Sequence, residues 1–175
     1  LDVLIHGGSP IATEVVRRSC SAFPTTQLIE VYGATETSPL VALLGNEETL
    51  MDDPLARSCG RAVMGCSVSI KDADGCELPC GEVGEVVVCG TNVMKGYWNK
   101  PEQTASVLKH GGYYTGDMGY LDDDGYLFLV DRSKDMIVSG GENVYSTEVE
   151  DVLYRHPAVL EACLLYTSDA ADDTC

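Results

Sequence analysis

At 175 residues the chain has room for one ordinary domain or two small ones. Its 28 acidic residues against 11 basic give a net charge of −17. That excludes a nucleic-acid surface, which needs Lys and Arg against phosphate, and an electrostatic hold on anionic lipid. No apolar run is long enough to span a bilayer and no signal peptide is visible, so a cytoplasmic location is expected, with peripheral membrane contact by a longer parent left open.

The chain begins at Leu1, already inside a strand, and reads as a fragment. That strand runs into Gly7-Gly8-Ser9-Pro10, where glycines let a ligand approach the backbone, Ser9 is a good N-cap and Pro10 suits a first helical position. A second apolar stretch, 26–31, ends in Tyr32-Gly33-Ala34-Thr35-Glu36. An aromatic face, a close-approach glycine, a hydroxyl and a carboxylate in five positions suit an adenine ring, a phosphate and a divalent cation. Residues 1–45 therefore read as strand, helix and strand, a piece of an α/β layer, with a loop at 35–39; residues 46–58 read as a polar connector.

Residues 59–130 are β-rich, with strands at 67–71, 84–88 and 126–130 separated by Gly, Asp and Pro turns. Asp122-Asp123-Asp124-Gly125 is a strong turn signal between apolar arms, so 120–130 reads as a hairpin. Such a hairpin brings Asp117, in Thr115-Gly116-Asp117, near Arg132, the first to accept hydrogen bonds from a diol and the second to donate to anionic or hydroxyl oxygens. Trp98 reads as a packing residue. Further on, 136–139 is a short strand and Gly140-Gly141-Glu142-Asn143 a flexible loop. Thr147 and Glu150 match a capping box for a helix that runs to His156, stops at Pro157 and carries Val149, Val152 and Leu153 on its apolar face.

Eight cysteines invite a disulfide or zinc reading, but Cys59-x6-Cys66 and Cys76-x3-Cys80 are not CxxC pairs and no His cluster accompanies them; free thiols are expected. The Asp-rich turns at 72–75 and 122–125 lack the order of a calcium loop.

Four stretches, GGSP (7–10), EVYGATETSP (30–39), the block 81–104 containing MKGYWNKPEQT, and 113–150 from YYTGD through DRSKD to SGGENVY, occur in the order and rough spacing of one family. Together they resemble the adenylate-forming superfamily of acyl-CoA synthetases, peptide-synthetase adenylation domains and luciferases, over residues 1 to about 162. The resemblance implies that 1–131 is the C-terminal part of an AMP-binding large domain, an α/β fragment followed by a β-rich distorted barrel. Residues 132–162 would then be the hinge and the start of a small, mobile α+β C-terminal domain. Tyr32 would lie against adenine with Gly8, Gly33 and Ala34 bordering the nucleotide, and Gly7 beside Gly8 would border the acyl pocket as well. Thr35 would bind the adenylate phosphate, Glu36 would hold Mg2+, Asp117 the ribose hydroxyls, and Arg132 the ribose or the carboxylate end. Lys134 matches the hinge, and Gly140, Gly141, Glu142 and Asn143 the loop that helps form the thiol channel. The family's phosphate loop and catalytic lysine are absent from this chain. Ser146 stands where the family usually has proline.

The implied chemistry is a carboxylate, expected to be a fatty acid, attacking the α-phosphate of ATP with Mg2+ bound, followed by displacement of AMP by coenzyme A. A peptide-synthetase adenylation domain or aryl-acid ligase is the alternative within this class. A non-catalytic acidic β-rich interaction module, using 59–130 as its surface, is the alternative outside it. Residues 163–172 break the family pattern and match the translation of a common transposase sequencing adapter, so 163–175 is expected to be a non-native tail.

Overall fold

The computed structural model describes residues 1–8, 11, 13–45, 54–132, 137–139, 142–144, 146–154, 156, 158–159 and 162. Strand β1 (Val3–Gly7) lies parallel to β2 (Gln27–Tyr32), in register from Val3 opposite Gln27 to Gly7 opposite Val31. Helix α1 (Thr13–Ala22) connects them, as a parallel pair requires. Backbone bonds from Gln27 to Asp2 and from the Thr26 hydroxyl to the Leu1 carbonyl, 2.7 Å, tie the two strand starts together. Both strands therefore deliver their carboxyl ends, Gly7-Gly8 and Tyr32-Gly33, to one rim. In open α/β sheets that rim is where ligands bind.

Two strands the sequence left unassigned extend this sheet. β3 (Ala42–Gly45) pairs antiparallel with β2, and β4 (Arg61–Ala62) pairs with β3, giving the order β1-β2-β3-β4. Residues 61–62 thus belong to the first sheet, which shifts the boundary expected at 59. Residues 46–53 lie outside the described residues, and Pro54–Arg57 forms a 3-10 turn.

The second sheet is antiparallel and holds β5 (Cys66–Lys71), β6 (Gly84–Gly90), β7 (Leu108–Lys109), β8 (Gly112–Leu121) and β9 (Leu127–Arg132). Its order is β5-β6-β8-β7, with β9 also on β8. The expected hairpin is present as β8–β9. Its turn is fastened by the Asp122 carboxylate, whose Oδ1 accepts from the backbone N–H groups of Asp124 and Tyr126. Among the described residues no pairing closes this sheet into the expected barrel. A short helix the sequence missed, α2 (Pro101–Val107), interrupts the β-rich region, with proline at its first turn.

One core joins the sheets. Val41 and Cys59 from the first region pack with Ile70, Val86, Val88, Tyr113 and Leu127 of the second. Leu127 and Val41 are 1% exposed and Val86, Val87 and Val88 not at all. The backbone continues across the junction: Cys59 donates to Leu127, 2.7 Å, and Leu127 to Gly60, 2.9 Å. Gly60, at φ +79°, is required there, because a Cβ would stand 1.9 Å from the Leu43 carbonyl oxygen.

Towards the C-terminus β10 (Ile137–Ser139) pairs antiparallel with β11 (Glu142–Val144). Glu142 and Asn143 are therefore strand residues, a correction to the flexible loop expected over 140–143; pairing with β10 supplies the backbone partners a loop would lack. Gly140, Gly141 and Lys134 lie outside the described residues, as does the tail from 163. Helix α3 (Ser146–Tyr154) starts one residue before Thr147 and ends short of His156. The side chain of Thr147, and with it the expected capping box, lies outside the described residues. Val152 and Leu153 are 63% and 43% exposed, so the expected apolar face of α3 is open in this chain. Among the described residues no helix is long and apolar enough to cross a membrane, and none of the six described cysteines is in a disulfide.

Candidate nucleotide site

Asp117 owes its position to a bulge. Gly119 and Met118 of β8 pair with Gly84 and Glu85 of β6, but Val87 pairs with Tyr114, so residues 115–117 of β8 stand against Val86 alone. Gly116 takes φ +79° in the middle of that bulge. Its neighbours are pinned on both sides. The Thr115 hydroxyl donates to the Val86 carbonyl, 2.9 Å, and accepts from the Asp117 N–H, while the Gly116 N–H donates to Glu85 Oε1, 3.0 Å. Bulges of this kind re-aim a side chain next to a site. Asp117 thus lies inside a strand.

The bulge turns Asp117 toward the first sheet. The Tyr32 hydroxyl donates to Asp117 Oδ2 at 2.7 Å, across 85 residues of chain. Burial raises the Tyr32 phenol above its ordinary range, and the Asp117 charge and hydrogen bond raise it further. Tyr32 is therefore a neutral donor at physiological pH. On the other side, β8 pairs Asp117 with Arg132 of β9, Cα opposite Cα. A shift in register sits beside this pair too, since Met118 pairs with Asp131 but Gly119 with Leu129. The expected approach of Asp117 and Arg132 is met by the backbone.

Beyond Tyr32 the chain makes a 3-10 turn, Thr35–Thr37. Thr37, to which the sequence reading gave no role, organises it. Its side chain is completely buried, and its hydroxyl donates to the Ala34 carbonyl and accepts from the Ala34 N–H, both 2.9 Å. Gly33 is an obligatory glycine at this bend, because a Cβ would fall 1.6 Å from the Pro39 carbonyl oxygen. At Gly7 a Cβ would likewise meet the Val31 carbonyl oxygen of β2. At Gly8, by contrast, a Cβ meets nothing within 4 Å among the described residues. Gly33 and Gly7 thus serve chain-to-chain packing, which Gly8 does not.

Glu36 is partly buried and Thr35 exposed. Among the described residues no three His, Cys, Asp or Glu side chains gather as a ready-made metal site. A single carboxylate beside a hydroxyl does fit Mg2+, which keeps several waters and is usually held by one or two carboxylates plus the substrate's phosphates.

The segment after β6 grips this turn from the second sheet. Asn92 Nδ2 donates to the Thr37 and Leu40 carbonyls, each at 3.0 Å, and the Ser38 hydroxyl donates to the Asn92 carbonyl. The Met94 N–H donates to the Glu36 carbonyl at 2.7 Å. The Tyr97 hydroxyl donates to Glu36 Oε1, also at 2.7 Å. Tyr113, 5% exposed, is packed in the core that joins the sheets. Lys109 lies over the Tyr114 ring, 5.3 Å from its centre. Trp98 does not pack as expected: it is 88% exposed on the rim of an open groove with Lys95 and Leu108. Asn92 and Tyr97 were missed because their partners lie far off in sequence.

Residues 1–98 match the AMP-binding enzyme family. A feruloyl-CoA synthase of Amycolatopsis sp is 42% identical over 163 residues, 93% of this chain and 32% of that protein. A 2-succinylbenzoate–CoA ligase of Geobacillus kaustophilus is 47% identical over 159 residues, 91% of this chain and 31% of its own length. Among solved structures, the o-succinylbenzoate CoA synthetase of Bacillus subtilis with its acyl-adenylate intermediate superposes at a TM-score of 0.80 with 37% identity, over 92% of this chain and 32% of that one. The same enzyme has been solved with ATP and magnesium ion. The chain spans about a third of the length of the curated relatives it matches, and it belongs to the AMP-binding enzymes, the adenylate-forming superfamily.

Proposed function

We propose that the full-length protein containing this chain is an ATP-dependent acid–thiol ligase that converts a carboxylic acid to its acyl-adenylate and passes the acyl group to coenzyme A. Relatives named for feruloyl, 2-succinylbenzoate and medium- and long-chain fatty acids support the ligase class. Within it we assign a fatty acid as substrate, on the likeness of the MKGYWN and SGGENVY blocks to fatty-acyl and related acyl-CoA synthetases; an aryl acid is the competing choice. A panel of fatty and aryl acids in a hydroxamate-trapping assay separates them.

The observation that carries the reading is the meeting of Tyr32 and Asp117 at 2.7 Å, at the carboxyl ends of two parallel strands. Tyr32 holds the Asp117 carboxylate in place through Oδ2, and that carboxylate would accept from the ribose hydroxyls. The Tyr32 ring offers a face to adenine, with Gly8 leaving room beside it. Arg132, in register with Asp117, would donate to the ribose or to the acid's carboxylate. Thr35 would donate to the adenylate phosphate and Glu36 would hold Mg2+, which offsets phosphate charge when bound. Lys134 would be the hinge about which the C-terminal part turns between half-reactions, and residues 140–143 would border the thiol's path.

The test is Asp117→Ala in the full-length protein. A hydrogen bond to a charged group is worth about 1.5–3 kcal/mol, so ATP use in pyrophosphate exchange should weaken about ten- to a hundredfold. Exchange at the parent's ATP dependence would remove Asp117 from the site.

A further inference from the structure

We infer that Tyr97 is a positioning residue that sets the affinity of Glu36 for a divalent cation; this rests on the proposed role of Glu36. A carboxylate on a three-residue 3-10 turn has no regular ladder to fix its side chain. Tyr97 supplies the fixation, donating to Oε1 at 2.7 Å and leaving Oε2 and a further lone pair of Oε1 for a cation. Tyr97 is itself immobilised. Its N–H donates to Thr104 Oγ1 at 2.9 Å, and Thr104 is tied to the Lys100 carbonyl at the start of α2. The turn that carries Glu36 is held by the same segment through Met94 and Asn92. Backbone and side chain of the carboxylate are thus set by one strap, Asn92 to Tyr97, anchored in the second sheet. Hydrogen-bond partners of ligating carboxylates typically govern metal affinity by ten- to a hundredfold.

The experiment is calorimetric titration of the full-length protein with ATP in magnesium chloride and with ATP in EDTA. The ratio of the two affinities reads the metal's contribution without turnover. Tyr97→Phe should lower that ratio about tenfold while metal-free ATP affinity stays within about twofold, which also shows that the site has folded. Thr104→Val, which removes the acceptor of the Tyr97 N–H, should lower it by a smaller factor in the same direction, and stands in if Tyr97→Phe does not fold. Glu36→Gln is the reference. If Glu36→Gln collapses the ratio and both of these variants keep it, the inference is overturned and the metal reading survives. If Glu36→Gln leaves the ratio unchanged, the metal reading fails and this inference with it.

Discussion

The two sheets share a junction but not a way of being stable. The second buries its own centre: Val86, Val87 and Val88 are fully covered, and Ile70 and Leu127 nearly so. The first presents apolar side chains outward on and just before β1, with Val3 42%, Ile5 61% and Leu1 71% exposed, and among the described residues β1 pairs on one side only. Its well-covered apolar residues are Val16 of α1, Leu28 of β2, Ala42 and Leu44 of β3 and Val41 just before β3, of which Val41 packs into the core of the second sheet. The site lies where the two meet: Tyr32 and the 35–37 turn come from the open sheet, Asp117 and Tyr97 from the closed one. A site built on such a seam has one rigid wall and one wall whose order depends on what covers it.

The largest expected effect comes from the closed side. Leu127→Ala removes a 1% exposed side chain at the centre of the joint core, where truncation costs about 2–5 kcal/mol. Urea unfolding of the chain should show a loss in that range, and because Leu127 also carries the backbone bonds to Cys59 and Gly60, hydrogen exchange should rise in β3 and β4 as well as in β8 and β9. A loss below about 1 kcal/mol would mean that the second sheet does not carry the fold.

Alkaline titration sharpens the seam itself. Tyr32 and Cys59 both stand there, and burial chiefly raises the pKa of each, Tyr32 from an ordinary 10.0 and Cys59 from 9.0, with Asp117 and Glu30 adding to the respective shifts. A raised acid binds its proton more tightly folded than unfolded. The stability it contributes is complete below the unfolded value and is lost as pH climbs toward the folded one. Each group should therefore remove about 1.4 kcal/mol per pH unit, Cys59 from about pH 9 and Tyr32 from about pH 10. Urea midpoints between pH 8 and 10.5 should fall accordingly, and the slope should flatten in Cys59→Ala. A flat profile would place both groups in water and dissolve the seam.

What the sequence made legible follows the same division. β5, β6 and β9 were readable because strongly apolar strands lie between Gly and Asp turns, and the Asp117–Arg132 pairing followed from one hairpin. β3 and β4, with four and two residues, carry no period of their own; they are strands because β2 offers a partner to β3, and β3 one to β4. α2 hid within a polar PEQTASV run whose helical signal is its opening proline. Glu142 and Asn143 read as loop because two glycines precede them, yet β10 pairs with them. In the site, the ligand-facing residues stood out by composition, whereas the ones that hold them did not. Nothing near Tyr97 names Glu36, 61 residues away, and nothing in Thr115-Gly116-Asp117 announces a bulge rather than a turn.

The smallest expected effect is the most discriminating. Ile5 lies on β1 in register with Ile29, but at 61% exposed it has little apolar burial to lose. Ile5→Thr keeps the β-branch that strands favour and changes only polarity, so the chain's stability should move by less than about 0.5 kcal/mol. Its association should change more. An unpaired edge with exposed Leu1, Val3 and Ile5 is a template for another chain, so sedimentation should show concentration-dependent assembly that Ile5→Thr reduces. A stability loss above about 1 kcal/mol, with no change in assembly, would mean that Ile5 is covered within one chain. The contrast between an open and a closed sheet would then be wrong at the strand where it is sharpest.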